Sequence, residues 1–395
     1  MVRVSRSSAA CAIVAFLLAV AGINHGLTDS ILPAGPGLTP DESFNIEQGV
    51  YLADALSQHG PMLFSPSVAK DVFASPRHLP DHPPLGRLWL GVSHHLTAWT
   101  ISGSDETVYN VPAARLGSCF AFSLTTLVIS EWTRRRFGLL PSLLTAAVYL
   151  TMPRVVGHAR IAALESMTSL VWITVVLHLA SHWTNDRPPA LKRTVGCGCL
   201  FGLLLLTKVQ GVLLPPLLVI WAFALWRQRA IFPLFVIGAV GGFVFFLGWP
   251  WLWIDPMQHI LQYLGRTTDR QTLYCWYLGA RYTDKLVPWH YPFVMTLATL
   301  PLSAVVGVAA RLVMRRFQRT EVSLALTIVG PLTVFAIPGT PVYDGVRLFL
   351  IVMPALAILS GLGLAMLFRA ICERLQQHGG GDSPGRLTAV WRVML

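Results

Sequence analysis

The sequence predicts an all-α polytopic membrane protein with about ten transmembrane helices, each built on an apolar run long enough to cross a bilayer. Hydrophobic residues make up 54% of the 395 positions, and charged residues make up only 12%. Soluble globular domains contain roughly twice that share of charged residues. The Lys and Arg residues are also concentrated in alternate loops between the apolar runs, as the positive-inside rule requires of a membrane protein.

The first apolar run covers residues 9 to 27 and follows two arginines. Ala19-Val20-Ala21 within it has the form of a signal-peptide cleavage site, but cleaved or retained, the run leaves the next loop outside. We predict a retained span. The other predicted spans cover residues 112–130, 138–152, 162–181, 195–207, 209–226, 231–251, 292–311, 321–337 and 347–369.

Two stretches of the sequence allow more than one membrane assignment. Residues 86 to 100 are too short and too rich in His and Trp to cross, so we place them in the membrane interface. Residues 195–226 fit one long helix or two short crossings. Because basic loops lie at both ends, two crossings are favoured, with Lys208 at the outer turn.

The formal net charge of +11 arises from cations in loops, without a basic face interleaved with aromatic residues, so we predict no nucleic-acid partner. The basic loops place both chain ends inside and the loops 28–111 and 252–291 outside. We predict one transmembrane domain over residues 1–370 and a partly disordered cytoplasmic tail over residues 371–395.

The first outward loop contains Thr39-Pro40-Asp41-Glu42, which is a well-formed helix start. Thr39 suits the N-cap, Pro40 suits the first helical position and Glu42 completes a capping box. The apolar stripe that follows predicts an amphipathic helix lying along the membrane surface. From these residues alone, the acidic pair Asp41-Glu42 is as readily a helix cap as a catalytic site.

Several short motifs then occur in order along the chain. They are Asp41-Glu42, His82-Pro83-Pro84-Leu85-Gly86-Arg87, Ala114-Arg115-Leu116, 158–165, 206–211, Trp249-Pro250-Trp251, 288–292 and 343–347. In this order and against these spans, the chain resembles the polyprenol-phosphate-sugar-dependent glycosyltransferases of family 39, which have the GT-C membrane fold. These include protein O-mannosyltransferases and aminoarabinose transferases. The aminoarabinose branch has Glu-Lys where Asp81-His82 stands here, which is nearer the mannosyltransferase pattern.

The resemblance implies transfer of a sugar from a polyprenyl-phosphate donor to an acceptor hydroxyl. An attacking alcohol loses its proton, so we predict Asp41 as general base, with Glu42 beside it at the catalytic site. A departing phosphate is a weak base and needs positive charge rather than a general acid. For that charge we predict Arg347 first, then Lys208 and Arg87, although Arg347 is also explained as a snorkelling interfacial arginine.

Four further residues are candidates for contacting the substrate or holding a divalent cation: Asp81, His82, His290 and Glu165. His and carboxylate side chains suit several divalent ions, but these residues lie in separate loops, so a metal stays open. Glu165 could instead form a structural pair with Arg160.

The partners implied are the lipid-linked donor, an acceptor lipid, glycan or protein, and the bilayer itself. The expected location is a bacterial cytoplasmic membrane with the active site on its extracytoplasmic face. The alternative is a transporter of a lipid-linked or small polar substrate. Transporters place ionisable residues near the bilayer midplane and often carry internal repeats, whereas the acids here gather in outward loops.

Overall fold

The computed structural model describes residues 4–23, 37–99, 109–266, 272–313 and 317–378. The described residues are mostly helical, as predicted. The α-helices are α1 (Arg6–Val20), α2 (Pro40–His59), α3 (Pro66–Phe73), α4 (Pro84–Thr97), α5 (Val111–Phe137), α6 (Leu139–Leu150), α7 (Pro153–Ala159), α8 (Glu165–His182), α9 (Leu191–Leu205), α10 (Leu214–Trp226), α11 (Ile231–Gly248), α12 (Trp251–Ile254), α13 (Pro256–Arg266), α14 (Tyr291–Thr299), α15 (Leu302–Val313), α16 (Arg319–Phe335) and α17 (Met353–His378).

Short 3₁₀ segments connect several of these helices. They are Gly60–Phe64, Val209–Leu213, Arg227–Ala230 and Arg347–Val352. The end of the first predicted span and the tail beyond residue 378 lie outside the described residues.

Within the described ranges, three stretches are long and apolar enough to cross a membrane: Val111–Phe137, Val209–Gly248 and Arg347–Leu375. Counting each of two bent helix pairs as one span raises this number to five. The first pair is α6 with α7, bent by 70°, and the second is α14 with α15, bent by 115°.

The second bent pair divides the predicted span over residues 292–311 into two helices. Leu300 has extended backbone angles, with ψ of 142°. Pro301 follows it and lacks the N–H that a continuing helix needs, and a proline also disfavours helical angles in the residue before it. The helix therefore ends before Pro301 and restarts in a new direction.

Helix α5 lies centrally and packs against α1, α4, α6 and α8, while α17 packs against α6 and α15. Helices α2 and α4 cross in very close contact at Gly49 and Gly91. The contact is so close that a Cβ atom added at Gly91 would overlap the carbonyl oxygen of Gly49. This contact fixes α2, which begins with the acidic pair, against α4, which carries Arg87.

The loop 252–291, which the sequence predicts to face outward, is not only helical. It contains α12, α13 and an antiparallel hairpin of β1 (Tyr274–Tyr277) with β2 (Ala280–Thr283). Leu278 and Gly279 form the turn, both with positive φ. The hairpin is a local exception to the all-α prediction.

The loops that the sequence places inside meet at one end of the molecule. The backbone N–H of Ser5 donates to Glu131 Oε2 at 3.2 Å, and Arg136 donates to the carbonyl oxygen of Ser181 at 3.3 Å. An ion pair joins Arg319 to Asp186 at 2.5 Å. This grouping puts these loops on one side of the molecule, and that this side faces inward stays a prediction.

Cysteine labelling in intact cells tests this orientation. We expect a cysteine placed at Ser67, an exposed residue of α3, to react with a membrane-impermeant maleimide from outside, and one at Arg135 not to react. Both positions react after the membrane is opened. Outside labelling at residue 135, or protection at residue 67, would overturn the topology and the face assigned to the acidic loop.

Candidate active site

A cluster of charged side chains forms where the start of α2, the start of α8 and the Arg347 segment meet. Glu165 Oε1 accepts hydrogen bonds from Lys208 Nζ at 2.6 Å and from Arg347 Nε at 2.7 Å. Arg347 also forms an ion pair with Asp41 through Nη2, and its Nη1 donates to Asp344 Oδ2 at 3.2 Å. Arg347 is thus shared by three carboxylates.

The members of this cluster differ in burial. The Glu165 side chain is 3% exposed, whereas that of Asp41 is 52% exposed. Glu165 is therefore a buried counter-ion beneath the two cations, and Asp41 reaches the solvent-accessible side. The candidate pairing of Glu165 with Arg160 is wrong, since Arg160 donates to the carbonyl oxygen of Leu18 instead.

The residues of this cluster lie at helix starts or in breaks between helices. Glu165 lies in the first turn of α8, where the positive end of the helix dipole favours a carboxylate. Lys208 is an extended residue between α9 and the Val209–Leu213 segment, so the structure has two helices where one long helix was the alternative. Arg347 follows a turn in which Asp344 and Gly345 both have positive φ.

Glu42 does not reach this cluster. It is fully buried, and its carboxylate accepts from Arg115 Nε at 2.7 Å, from the Ala162 N–H at 2.7 Å and from the Thr39 N–H at 2.9 Å. These bonds occupy both of its oxygens. Glu42 was predicted beside Asp41 at the catalytic site, but these bonds hold it at the start of α2 and outside the charged cluster.

Arg87 is likewise enclosed. It donates to both carboxylate oxygens of Asp81, at 2.5 and 3.0 Å, to the carbonyl oxygen of Leu79 at 2.9 Å and to Asn45 Oδ1 at 3.2 Å. Burial raises the pKa of the Asp81 carboxyl, but the charge and hydrogen bonds of Arg87 outweigh burial and hold that pKa below its usual value. The pair therefore stays ionised and fixes the loop against α2.

His82 faces the cavity as a neutral imidazole. Burial, followed by the charge of Arg87, lowers its pKa to about 4. Its Nδ1 is buried and has no hydrogen-bond partner within the described part of the chain. His290 lies elsewhere, at the start of α14, where its Nδ1 is 2.6 Å from the Tyr277 hydroxyl.

The proposed metal candidates do not converge. Among the described residues, no group of three or more His, Cys, Asp or Glu side chains is arranged to hold a metal ion. Asp81 is engaged by Arg87, and Glu165 by Lys208 and Arg347. Within the described residues, these two carboxylates are thus held by cations and are not grouped around a position for a metal ion.

Two cavities meet at the charged cluster. The first, of about 520 Å³, is polar and is lined by Asp41, Asn45, Asp81, His82, Arg87, Lys208, Asp344 and Arg347 together with Tyr274 of the hairpin. The second, of about 690 Å³, is walled by apolar side chains that include Val212, Leu213, Val334, Phe335 and Leu348. Asp81, His82, Lys208 and Tyr343 line both cavities. One ligand can therefore place a polar head in the first and an apolar tail in the second.

Asn45 and Tyr274 were not predicted at the site. Asn45 lies four residues after Asp41 on α2, so the helical period places it on the same face, and that spacing was a usable signal. Tyr274 gave no such signal, because it reaches the cavity only through a hairpin 230 or so residues away along the chain.

The architecture is that of a multi-pass membrane protein with the GT-C fold. Residues 81–254 match the family model described as dolichyl-phosphate-mannose-protein mannosyltransferase. This match and the likeness to solved structures confirm the resemblance predicted from the motifs.

Several solved structures are similar to this chain. ArnT from Cupriavidus metallidurans, bound to undecaprenyl phosphate, aligns with a TM-score of 0.63 and 17% identity over 94% of this chain and 62% of its own. The archaeal oligosaccharyltransferase AglB from Archaeoglobus fulgidus, in complex with an inhibitory peptide and a dolichol-phosphate, aligns with a TM-score of 0.56 and 11% identity over 98% of this chain and 53% of its own. This chain thus spans less than two thirds of either protein. The comparison with curated proteins gave no match.

Proposed function

We propose that this protein is an integral-membrane glycosyltransferase that moves a sugar from a polyprenyl-phosphate donor to an acceptor hydroxyl at the extracytoplasmic face. The observation that carries the proposal is the junction of the polar and apolar cavities at Lys208 and Tyr343, beside Asp41 and Arg347. The similar structures of ArnT and AglB, solved with undecaprenyl phosphate and a dolichol-phosphate, support the same class of donor.

The donor has an apolar isoprenoid chain and a charged phosphate, and the site has a matching region for each. The isoprenoid chain would lie along the apolar cavity, where its burial is favourable in proportion to the area removed from water. The phosphate would lie at the junction, near Lys208 and Arg347. The Nε of Arg347 holds Glu165, whereas Nη1 and Nη2 hold Asp344 and Asp41. The two Nη groups can exchange these exposed carboxylates for a phosphate.

The reaction is a displacement at the anomeric carbon. The acceptor oxygen forms the new bond to that carbon as its proton passes to a carboxylate oxygen of Asp41. The bond from carbon to phosphate oxygen breaks, and the phosphate leaves with the electron pair, stabilised by Arg347 and Lys208. When the phosphate binds Arg347, Asp41 is released from its ion pair with that arginine and can accept the proton.

The proposal is tested with purified protein in lipid nanodiscs and a panel of polyprenyl-phosphate sugars. We expect at least one donor to be consumed, with release of polyprenyl phosphate and glycosylation of an added acceptor. The readouts are mass spectrometry of the lipid and a radiolabelled sugar. If no donor is consumed while the protein is folded and binds polyprenyl phosphate, the enzyme assignment is wrong and a transporter becomes the better explanation.

Replacing Arg347 by Ala tests the donor-phosphate role. Hydrogen bonds to charged groups contribute roughly 1.5 to 3 kcal/mol, so we expect the KM for donor to rise about ten- to a hundredfold. Arg347→Lys keeps the charge but loses the planar fork, so it should restore activity only in part. Arg77→Ala, which removes an exposed arginine from the first outward loop, is the matched control. Unchanged donor dependence in Arg347→Ala would leave Arg347 as a snorkelling residue.

A further inference from the structure

A third cavity lies beside the polar one, between α3, α12 and α13. It has a volume of about 300 Å³ and includes Phe73, Ser75, His78, Trp251, His259 and Gln262 in its lining. None of these residues belongs to the charged cluster. The cavity is at the lower end of the sizes that small-ligand sites have in proteins.

His78 is the unusual residue of this cavity. It is only 8% exposed, and neither of its ring nitrogens has a hydrogen-bond partner within the described part of the chain. Its ring is held between Tyr51, with centroids 6.4 Å apart in a stacked arrangement, and Phe73, at 5.0 Å edge to face. Buried polar groups in folded proteins are almost always hydrogen-bonded, so an imidazole without a partner points to a ligand.

The charge state of His78 narrows the class of ligand. Burial, then the charge of Arg87, lowers its pKa to about 4, so near neutral pH the ring offers one N–H donor and one acceptor. Among the described residues, the lining of this cavity includes no Asp, Glu, Lys or Arg. Neither an anion such as phosphate nor a cation therefore meets a permanently charged side chain in this lining.

The remaining lining is amphipathic. Ser75 and Gln262 add neutral hydrogen-bonding groups, while Phe73, Pro80 and Trp251 supply apolar surface. A sugar ring has this same combination of hydroxyl groups at its edge and C–H groups on its faces. The chemistry of the cavity therefore matches a neutral saccharide.

The cavity also shares a wall with the active site. Along the segment His78–Asp81, His78 and Pro80 line this cavity, whereas Leu79 and Asp81 line the polar cavity. The segment is held in place by Gln48, which donates to the Arg77 carbonyl oxygen at 2.9 Å and accepts from the Leu79 N–H at 2.7 Å. A single segment of backbone thus separates the third cavity from the polar cavity.

We propose that this third cavity binds one neutral sugar unit of the acceptor, with His78 and Gln262 as the hydrogen-bonding residues that recognise it. The inference rests on the proposed glycosyltransferase function and adds to it a chemical class for the acceptor. A saccharide anchored here extends past Leu79 and Asp81 towards Asp41, on a glycan that is free, lipid-linked or attached to protein.

The binding test uses the full chain in nanodiscs and saturation-transfer NMR with methyl glycosides of neutral hexoses and N-acetylhexosamines. We expect at least one glycoside to bind, and His78→Phe and Gln262→Leu each to weaken it about tenfold through the loss of hydrogen bonds. Gln262 is exposed, so its replacement should leave the fold intact even if His78→Phe does not fold. His95→Phe, on the outward helix α4, is the matched control and should bind like the wild type.

The kinetic test uses the glycoside that binds as acceptor. In His78→Phe and Gln262→Leu, the KM for acceptor should rise about tenfold while kcat and the KM for donor stay at wild-type values. If the wild type transfers sugar but both variants bind and use the glycoside normally, the third cavity is not the acceptor site. If the wild type consumes no donor at all, the proposed function fails instead, and the NMR measurement still decides whether the cavity binds saccharide.

Discussion

Replacing Asp41 by Asn is expected to slow sugar transfer by about 10²- to 10⁴-fold, the usual contribution of a general base. The amide keeps the size of the carboxylate and much of its preference for a helix start, but it cannot accept the proton. The Asp41 side chain is half exposed, so the variant should melt like the wild type. Arg347 keeps Glu165 and Asp344, and so donor binding should persist.

Single-turnover transfer from a defined donor measures the loss, with donor affinity and melting temperature recorded on the same preparation. Glu42→Gln is the matched control, since it makes the same chemical change one residue away. Because it removes the charge that faces the buried Arg115, we expect it to lower stability more than turnover. Near-normal turnover by Asp41→Asn would leave Thr39-Pro40-Asp41-Glu42 as only a helix start.

Replacing Glu165 by Gln should lower stability and donor affinity together. The Glu165 carboxylate is the buried acceptor that both Lys208 and Arg347 contact. Breaking a buried ion pair by removing one partner costs about 3–5 kcal/mol, which is a large part of the roughly 5–15 kcal/mol by which proteins are stable. Thermal unfolding in detergent and the KM for donor report the two effects.

Glu131→Gln provides the comparison at the opposite end of the molecule. Glu131 also pairs with two cations, Arg134 at 3.0 Å and Arg135 at 2.6 Å, but those arginines are partly exposed. Solvent screening weakens ion pairs to exposed cations, but Glu131 is itself buried and also accepts from the Ser5 N–H, so we expect this variant to lose some stability but less than Glu165→Gln. Adding Lys208→Met to Glu165→Gln should recover part of the lost stability, because a buried cation without a partner is then removed. Equal melting of Glu165→Gln and wild type would show that Glu165 is not the buried counter-ion.

The sequence was informative wherever a signal was local. The apolar runs predicted the fold class, Thr39-Pro40 predicted the start of α2, and Lys208 between two apolar runs predicted a break there. The bend at Pro301 had an equally local signal, since a proline lacks the N–H that a continuing helix needs, but the predicted span over residues 292–311 did not include this bend.

The sequence pattern could not predict contacts between residues that are far apart along the chain. Glu165 lies 43 residues from Lys208 and 182 residues from Arg347, so nothing in its neighbourhood showed that it would hold both. Glu42 looked like half of a catalytic pair because its partner, Arg115, is 73 residues away. Burial and long-range ion pairs depend on tertiary packing, which a single sequence does not reveal.

The contact between Gly49 and Gly91 has a consequence for how this protein can change over generations. Helix α2 supplies Asp41 and Asn45 to the polar cavity, and helix α4 supplies Arg87, so the distance between the two helices sets the width of the cavity. Any side chain at either glycine would push the helices apart. Since a misplacement of about 1 Å can cost a hundredfold in rate, selection on catalysis would act on two positions that touch no substrate. Sequence changes that alter which sugar is accepted are then expected in the walls of the cavities and not at this helix crossing.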